Sequence, residues 1–222
     1  MINKYDETKN FDYENGFYLT SKPFRIGNIL AHYELYKRIV NLPGDVIELG
    51  VFKGGSIIQF ATFRELLENE NSRKIVGFDI FGEFPKSDTI DSDKRFIDNF
   101  AKNEGKYEFL TKEEIYKSLE LKKIHNVELV EGDIRETLAQ YLEENPHTKI
   151  SLLHIDTDVY EPAKVGLELL FSRVVKGGII IFDDYGVIEG ETLAVDEFLS
   201  DKDYLIEKYS FSHTKPSYIV KK

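Results

Sequence analysis

The sequence predicts an α/β fold built on one doubly wound, mostly parallel sheet. Three observations predict it. Helical and strand-like patterns alternate along the chain with no internal repeat. Two apolar runs, residues 151–155 and 177–182, have the length and turn-bounded form of fully buried parallel strands. Each run ends in acids, Asp156-Thr157-Asp158 after the first and Asp183-Asp184 after the second. In open parallel sheets ligands sit outside the carboxyl ends of the strands. The four carboxylates Asp156, Asp158, Asp183 and Asp184 are therefore expected to crowd one rim. Like charges that close repel, and a hard cation with oxygen ligands, Mg²⁺ for choice, compensates them.

Composition narrows the class further. A chain of 222 residues suits one domain, 1–222, with ample length for a core. Its 41% hydrophobic content excludes a wholly disordered chain. The net charge of -11 argues against a nucleic-acid partner, which needs clustered Lys and Arg. No apolar run approaches the ~18 residues that span a bilayer. The start, Met1 to Glu7, is polar and lacks the apolar segment of a signal peptide, so no membrane association is expected. With no Cys there is neither a disulfide frame nor thiolate chemistry, which fits a cytoplasmic protein.

Taken in order, residues 1–26 are aromatic and polar without a clean period and read as an extended arm. Ile29, Leu30, Tyr33, Leu35, Tyr36, Ile39 and Val40 then form a helical stripe. Arm and helix together make up residues 1–43, stopped by Asn41-Leu42-Pro43-Gly44. Asp45-Val46-Ile47-Glu48-Leu49 reads as a strand and Gly50 to Gly55 as a glycine-bearing turn. Ser56 to Gln59 has the spelling of a capping box that opens a helix. Such a turn lets backbone approach a ligand, and the helix start offers N–H groups to an anion. A plain tight turn has the same spelling, and the glycine spacing is not G-x-G-x-x-G. Residues 74–79 form a second strand ending in Asp79, where nucleotide-binding α/β folds place a ribose-binding acid.

Residues 82–126 break the rhythm. They are turn-rich, then dense in charge, then open a short helix at Thr111 by a capping-box pattern. An insertion of this length is usually functional or mobile, and it reads as a lid over the strand ends. The third strand, 127–131, is followed by Gly132 and Asp133, and the next helix uses Ile134, Leu138, Tyr141 and Leu142 as its face. After the 150–156 strand a helix starts at Pro162, which suits a first turn. The 179–182 strand, a helix over 192–199 and a final strand pair, 204–210 with 218–221, complete the chain.

Several of these motifs together resemble the macrocin O-methyltransferase (TylF-like) family of S-adenosylmethionine-dependent enzymes. They are Val46-Ile47-Glu48-Leu49-Gly50-Val51-Phe52-Lys53-Gly54-Gly55-Ser56, Gly77-Phe78-Asp79, and His154-Ile155-Asp156-Thr157-Asp158-Val159-Tyr160-Glu161-Pro162. Gly177-Gly178-Ile179-Ile180-Ile181-Phe182-Asp183-Asp184-Tyr185-Gly186 and Ala194-Val195-Asp196-Glu197-Phe198 complete the set, so the resemblance covers about residues 45 to 200. It implies a seven-stranded, Rossmann-like class I methyltransferase sheet, S-adenosylmethionine, a divalent metal and often a homodimer. By motif match Asp156, Asp183 and Asp184 are the metal ligands and Asp158 the general base. Glu48, Gly50, Gly54, Gly55, Ser56, Asp79, Gly132 and Asp133 fall to the cofactor. One stretch departs from the family. The usual Asp-Thr-Phe-Glu-Gly-(Phe/Leu)-Pro is here Asp79-Ile80-Phe81-Gly82-Glu83-Phe84-Pro85.

The chemistry agrees with the resemblance. Methyl transfer from a sulfonium needs an in-line oxygen nucleophile that loses its proton, so a metal that lowers the hydroxyl pKa and a nearby carboxylate suffice. Two acceptor oxygens on one metal suit a vicinal diol, as on a sugar; a catechol fits the same chelation. His154 is a second catalytic candidate, with a core or cofactor-edge role as its simpler reading. The rival readings are a nicotinamide-dependent oxidoreductase and a non-catalytic subunit on the same fold.

Overall fold

Five parallel strands form the centre of the sheet in a computed structural model that describes residues 6–84, 90–103 and 109–222. In chain order the elements are α1 (Asn10–Thr20), α2 (Pro23–Lys37), β1 (Asp45–Leu49), α3 (Gly55–Leu67) and β2 (Ile75–Asp79). Next come α4 (Asp91–Asn103), α5 (Lys112–Leu121), β3 (Val127–Glu131), α6 (Ile134–Glu144), β4 (Ile150–Ile155) and α7 (Tyr160–Leu170). β5 (Val174–Phe182), α8 (Glu189–Leu199), β6 (Glu207–Lys208) and β7 (Ser217–Val220) end the chain. The seven strands lie in the order β3-β2-β1-β4-β5-β7-β6. β1 to β5 run parallel, and β7 is antiparallel to both neighbours. The doubly wound, mostly parallel, seven-stranded sheet expected from the sequence is therefore present. Its strand order reverses between β1 and β4, the point where such sheets bind ligands.

Strand alternation sorts side chains onto two buried faces. Ile47, Leu49, Leu153, Ile155, Ile180 and Phe182 pack under α6, α7 and α8. Val46, Leu152, Ile179 and Ile181 pack under α2, α3 and α5 with Tyr36, Phe60 and Ile115. Each fully buried Leu, Ile or Phe contributes roughly 1.5–3 kcal/mol of apolar burial. Glu48 and His154 share the second face by the same alternation, and both are fully buried. Arg64 and Arg73 are buried as well. Their guanidinium groups donate to backbone carbonyls such as Asn126 O at 2.9 Å and Gly44 O at 2.9 Å, so they tie loops together.

Four expectations need correction. The arm is not extended: residues 10–20 form α1, which buries no residue, so its apolar side chains follow no face. α2 begins at Pro23, ahead of its apolar stripe, because proline is pre-set for a first helical turn. The capping box at Ser56 does not form; Gly54, at φ 75°, caps α3 instead. Ser56 Oγ donates to Glu48, and Gln59 Oε1 meets His32 Nδ1 at 3.1 Å. The stretch 82–126 divides. α5 opens with the expected reciprocal box between Thr111 and Glu114, yet buries Ile115 and Leu119 in the core, so it is scaffold rather than lid. Parts of the remaining excursion, residues 85–89 and 104–108, lie outside the described residues. Among the described residues no helix is long and apolar enough to cross a membrane.

Candidate active site

The strand ends and their loops enclose a cleft of about 600 Å³ at the β1/β4 reversal point. Gly50, Gly55, Ser56, Asp79, Gly132, Asp133, Asp156, Asp158, Asp183 and Asp184 all line it. Gly50 must be glycine: its φ is 89°, and a Cβ there would lie 1.9 Å from the Asp156 carbonyl oxygen. Gly55 faces open space, as a ligand-facing helix start requires. Gly54 is buried against Ile115 of α5, which braces the loop. Asp79 is already engaged. Its Oδ2 accepts from Val51 N at 2.7 Å and Phe52 N at 2.8 Å, and its Oδ1 accepts from Phe81 N at 2.6 Å. Gly132 holds φ 137°, and its N–H donates to Asp79 O at 2.9 Å. Asp133 caps α6 through Arg135 N, and its ion pair with the Arg135 side chain holds its carboxyl below the usual range.

The acid-ended strands deliver their aspartates in two directions. Asp156, Asp158 and Asp184 converge, with one oxygen from each within 4.8 Å of the others. Burial pushes the Asp156 and Asp158 carboxyls well above their ordinary range, and the charges of Asp183 and Asp184 add to the shift. Asp158 sits at φ 62°, a left-handed conformation rare for a non-glycine residue and frequent at functional sites. Asp183 belongs to a different group. Its Oδ1 lies 3.6 Å from His154 Nε2, 3.5 Å from His32 Nε2 and 3.4 Å from Asn28 Nδ2. Burial alone would raise its carboxyl, but the two histidines and Lys215 hold it well below the usual range. Lys215 Nζ donates to Asp183 Oδ2 at 2.9 Å and to Asp184 Oδ1 at 2.6 Å.

Glu48 and His154 line no part of the cleft. His154 Nδ1 lies 3.4 Å from Glu48 Oε1. Burial opposes the charged imidazole, yet Asp183 and Glu48 raise its pKa well above the usual value. The pair thus backs the rim electrostatically. Sequence reasoning missed His32, Lys215, Glu191 and Asp93. Glu191 is buried and accepts from Asp184 N at 2.9 Å, orienting the end of β5. Asp93, on α4, is buried and accepts from Tyr160 N at 2.9 Å. The available signal was spacing for His32, four residues after Asn28 on one helical face; the other three carried none. Above the cleft, Phe96 and Phe100 of α4 meet Phe84, and Phe52 meets Phe100 and Phe109.

The sheet, the glycine loop and the acid that ends β2 define a class I, Rossmann-like methyltransferase fold. Residues 31–207 match the model of the macrocin-O-methyltransferase (TylF) family, and the chain belongs to it. That membership decides against the nicotinamide-dependent reading. A protein of Streptomyces olivaceus, described as an 8-demethyl-8-(2,3-dimethoxy-alpha-L-rhamnosyl)-tetracenomycin-C 4'-O-methyltransferase, is 26% identical over 161 residues. The match takes in 66% of this chain and 54% of that protein, so the chain spans about half the length of this relative. The crystal structure of CalS11, a calicheamicin methyltransferase, is 28% identical with a TM-score of 0.75, covering 99% of this chain and 88% of that one. The O-methyltransferase NovP has the same fold, with a TM-score of 0.76 at 22% identity over 88% of this chain and 80% of its own.

Proposed function

We propose that this chain transfers the methyl group of S-adenosylmethionine to a hydroxyl of a sugar or sugar-bearing small molecule. The observation that carries the reading is the convergence of Asp156, Asp158 and Asp184 beside the glycine loop. Family membership supports the reaction. The sugar is supported by the rhamnosyl group named for the Streptomyces relative and by the description of CalS11 as a TDP-rhamnose 3'-O-methyltransferase.

The residues present fit both S-adenosylmethionine and a divalent cation. The cleft is roomy, Gly55 leaves space at a helix start, and Asp79 and Asp133 stand at neighbouring strand ends, as a nucleoside-bearing cofactor requires. The crowded carboxylates form an all-oxygen donor set suited to Mg²⁺, with Asp156 and Asp184 as its holders and Asp183 committed to His154, His32 and Lys215. When bound, S-adenosylmethionine supplies an electrophilic methyl group and Mg²⁺ lowers the pKa of a coordinated hydroxyl. Asp158 is the general base. Its strained backbone aims the carboxyl into the cleft, and the upward shift caused by burial suits it to accept a hydroxyl proton. Gly50 lets the glycine loop pack against Asp156, which fixes the cofactor loop against the acid rim. Phe84, Phe96, Phe100 and Phe109 give the cleft an apolar wall. A homodimer in the cytoplasm completes the reading.

The test is S-adenosylhomocysteine formation with a panel of nucleotide sugars and glycosides. The wild-type protein is expected to turn over with at least one acceptor carrying a vicinal diol. Asp158→Asn keeps the shape and removes the base, so kcat is expected to fall ~10²–10⁴-fold with the cofactor affinity retained. Full activity in that variant rules out Asp158 as the base.

A further inference from the structure

Lys215 reaches the acid rim from the far end of the chain. It lies between a 3₁₀ turn, Ser210–Ser212, and β7, and its ammonium bonds Asp183 and Asp184 rather than Asp156 or Asp158. The two aspartates it holds differ in their other ties. Asp183 Oδ1 lies 3.6 Å from His154 Nε2, 3.5 Å from His32 Nε2 and 3.4 Å from Asn28 Nδ2, so Asp183 has partners besides Lys215. Asp184 has divided allegiance: one oxygen accepts from Lys215, while the residue also belongs to the cluster with Asp156 and Asp158. A lysine is a compact charge on a flexible four-carbon stem, so its head moves without disturbing the backbone. Its side chain is 27% exposed and lines the cleft, which leaves it room to withdraw.

We propose that Lys215 is a displaceable counter-ion of the acid rim, which holds Asp184 in the metal-free protein and releases it to an incoming divalent cation. Asp184 then chooses between two cations, one built into the chain and one supplied from solution. Lys215 remains on Asp183 and stays at the cleft wall beside the ion. This makes it a positioning residue that sets the strength of metal binding. The inference rests on the reading of the rim as a metal-holding site for methyl transfer.

Calorimetric titration of the full chain with MgCl₂ and with MnCl₂, without cofactor or acceptor, tests it. Lys215→Met removes the competing charge, and at these separations a lost unit charge is worth roughly ten- to a hundredfold in affinity for a divalent ion. The metal-free variant is expected to melt lower than the wild type, because Asp183 and Asp184 lose their cation, and to recover when metal is added. Lys215→Gln keeps a hydrogen-bond donor without the charge and covers the case in which the methionine variant does not fold; tighter binding is expected there too. Lys215→Arg keeps the charge and should bind metal about as the wild type does. Unchanged or weaker metal binding in the methionine and glutamine variants overturns the proposal, as does absence of divalent binding in every variant. Tightened binding in a protein that methylates no sugar leaves the proposal standing and removes the functional reading. Methyl transfer without the tightening does the reverse.

Discussion

At the residue scale, Asp79 shows how one carboxylate organises a loop. The acid that ends β2 is expected to bind ribose hydroxyls, and its oxygens already accept three backbone N–H groups from Val51, Phe52 and Phe81. It therefore shapes the glycine loop before any ligand arrives. Replacing it with alanine strands those donors, each a hydrogen bond to a charged group worth about 1.5–3 kcal/mol. Asp79→Ala is expected to weaken S-adenosylmethionine binding ten- to a hundredfold and to lower the melting temperature as well. Asp79→Asn separates the two roles. One amide oxygen replaces two carboxylate oxygens, so the loop loses part of its support even where a ribose hydroxyl could still be met. Calorimetry with the cofactor, beside thermal melts, reads both. A loss of affinity without any loss of stability would mean that the carboxylate acts on the ligand alone. The divergence of Asp183 and Asp184 was not read from the sequence, though strand parity accounts for it. Adjacent residues at a strand end point to opposite sides, and Asp183 continues the parity of Ile179 and Ile181 toward His154. The motif match and the expected crowding of four carboxylates on one rim had both placed Asp183 with Asp184 on the ion.

At the element scale, α4 is the part of the molecule best placed to act as a lid. Its aromatic residues face the cleft, and its first turn is fastened by Asp93 to the amide that opens α7. That amide follows Asp158 by two residues. Gly190, at the start of α8, makes room for the fastening, since a Cβ there would lie 2.0 Å from Asp93 Oδ1. α4 is thus tied to α7 and packed closely against the start of α8, the helices that follow the two acid-ended strands. Asp93→Ala removes the carboxylate from the start of α7 and leaves a buried N–H unpaired, a cost of about 1–2 kcal/mol. Hydrogen exchange across residues 91–103 is expected to quicken several-fold, with KM for the acceptor rising more than kcat falls. Unchanged exchange would leave α4 as fixed surface. Little of this was readable beforehand. Asp93 stands in a run of charged residues, Asp91-Ser92-Asp93-Lys94-Arg95, that looks solvated, and only the approach of α7 and α8 selects it. α1 misled for the opposite reason: it buries nothing, so no apolar periodicity exists to be read.

At the scale of the whole molecule, the parallel sheet was legible because long buried strands leave a strong, contiguous signal, and the rim because its acids end those strands. What sequence could not show was the balance of charge around them. Lys215 arrives from 31 residues beyond Asp184, with no local pattern linking the two. The chain carries a net charge of -11, so the rim adds repulsion to a molecule already acidic. Asp156, Asp158 and Glu191 all have carboxyls pushed well above the usual range, by burial first and then by neighbouring aspartates. An acid whose folded pKa is raised keeps its proton longer in the folded state than in the unfolded one. These three groups therefore withdraw stability as pH rises above the ordinary carboxylate range. Asp183 has the opposite sign: its depressed carboxyl adds stability above that range, which is lost as pH falls through its folded value. A divalent ion needs ionised carboxylates, so the stabilisation by Mg²⁺ must grow as pH releases the protons of Asp156 and Asp158. Binding at about a hundred times the dissociation constant contributes roughly 2.7 kcal/mol. For a chain of this size each kcal/mol moves the melting temperature by about 2–4 °C. Melts with and without saturating Mg²⁺ are therefore expected to differ by roughly 5–10 °C at the high-pH end of the folded range and by less at the low-pH end, because the raised carboxyls of Asp156 and Asp158 take up protons before ordinary carboxylates do. An equal shift at both ends would place the ion away from Asp156 and Asp158. No shift at either would remove Mg²⁺ from the rim and leave Lys215 as its counter-ion.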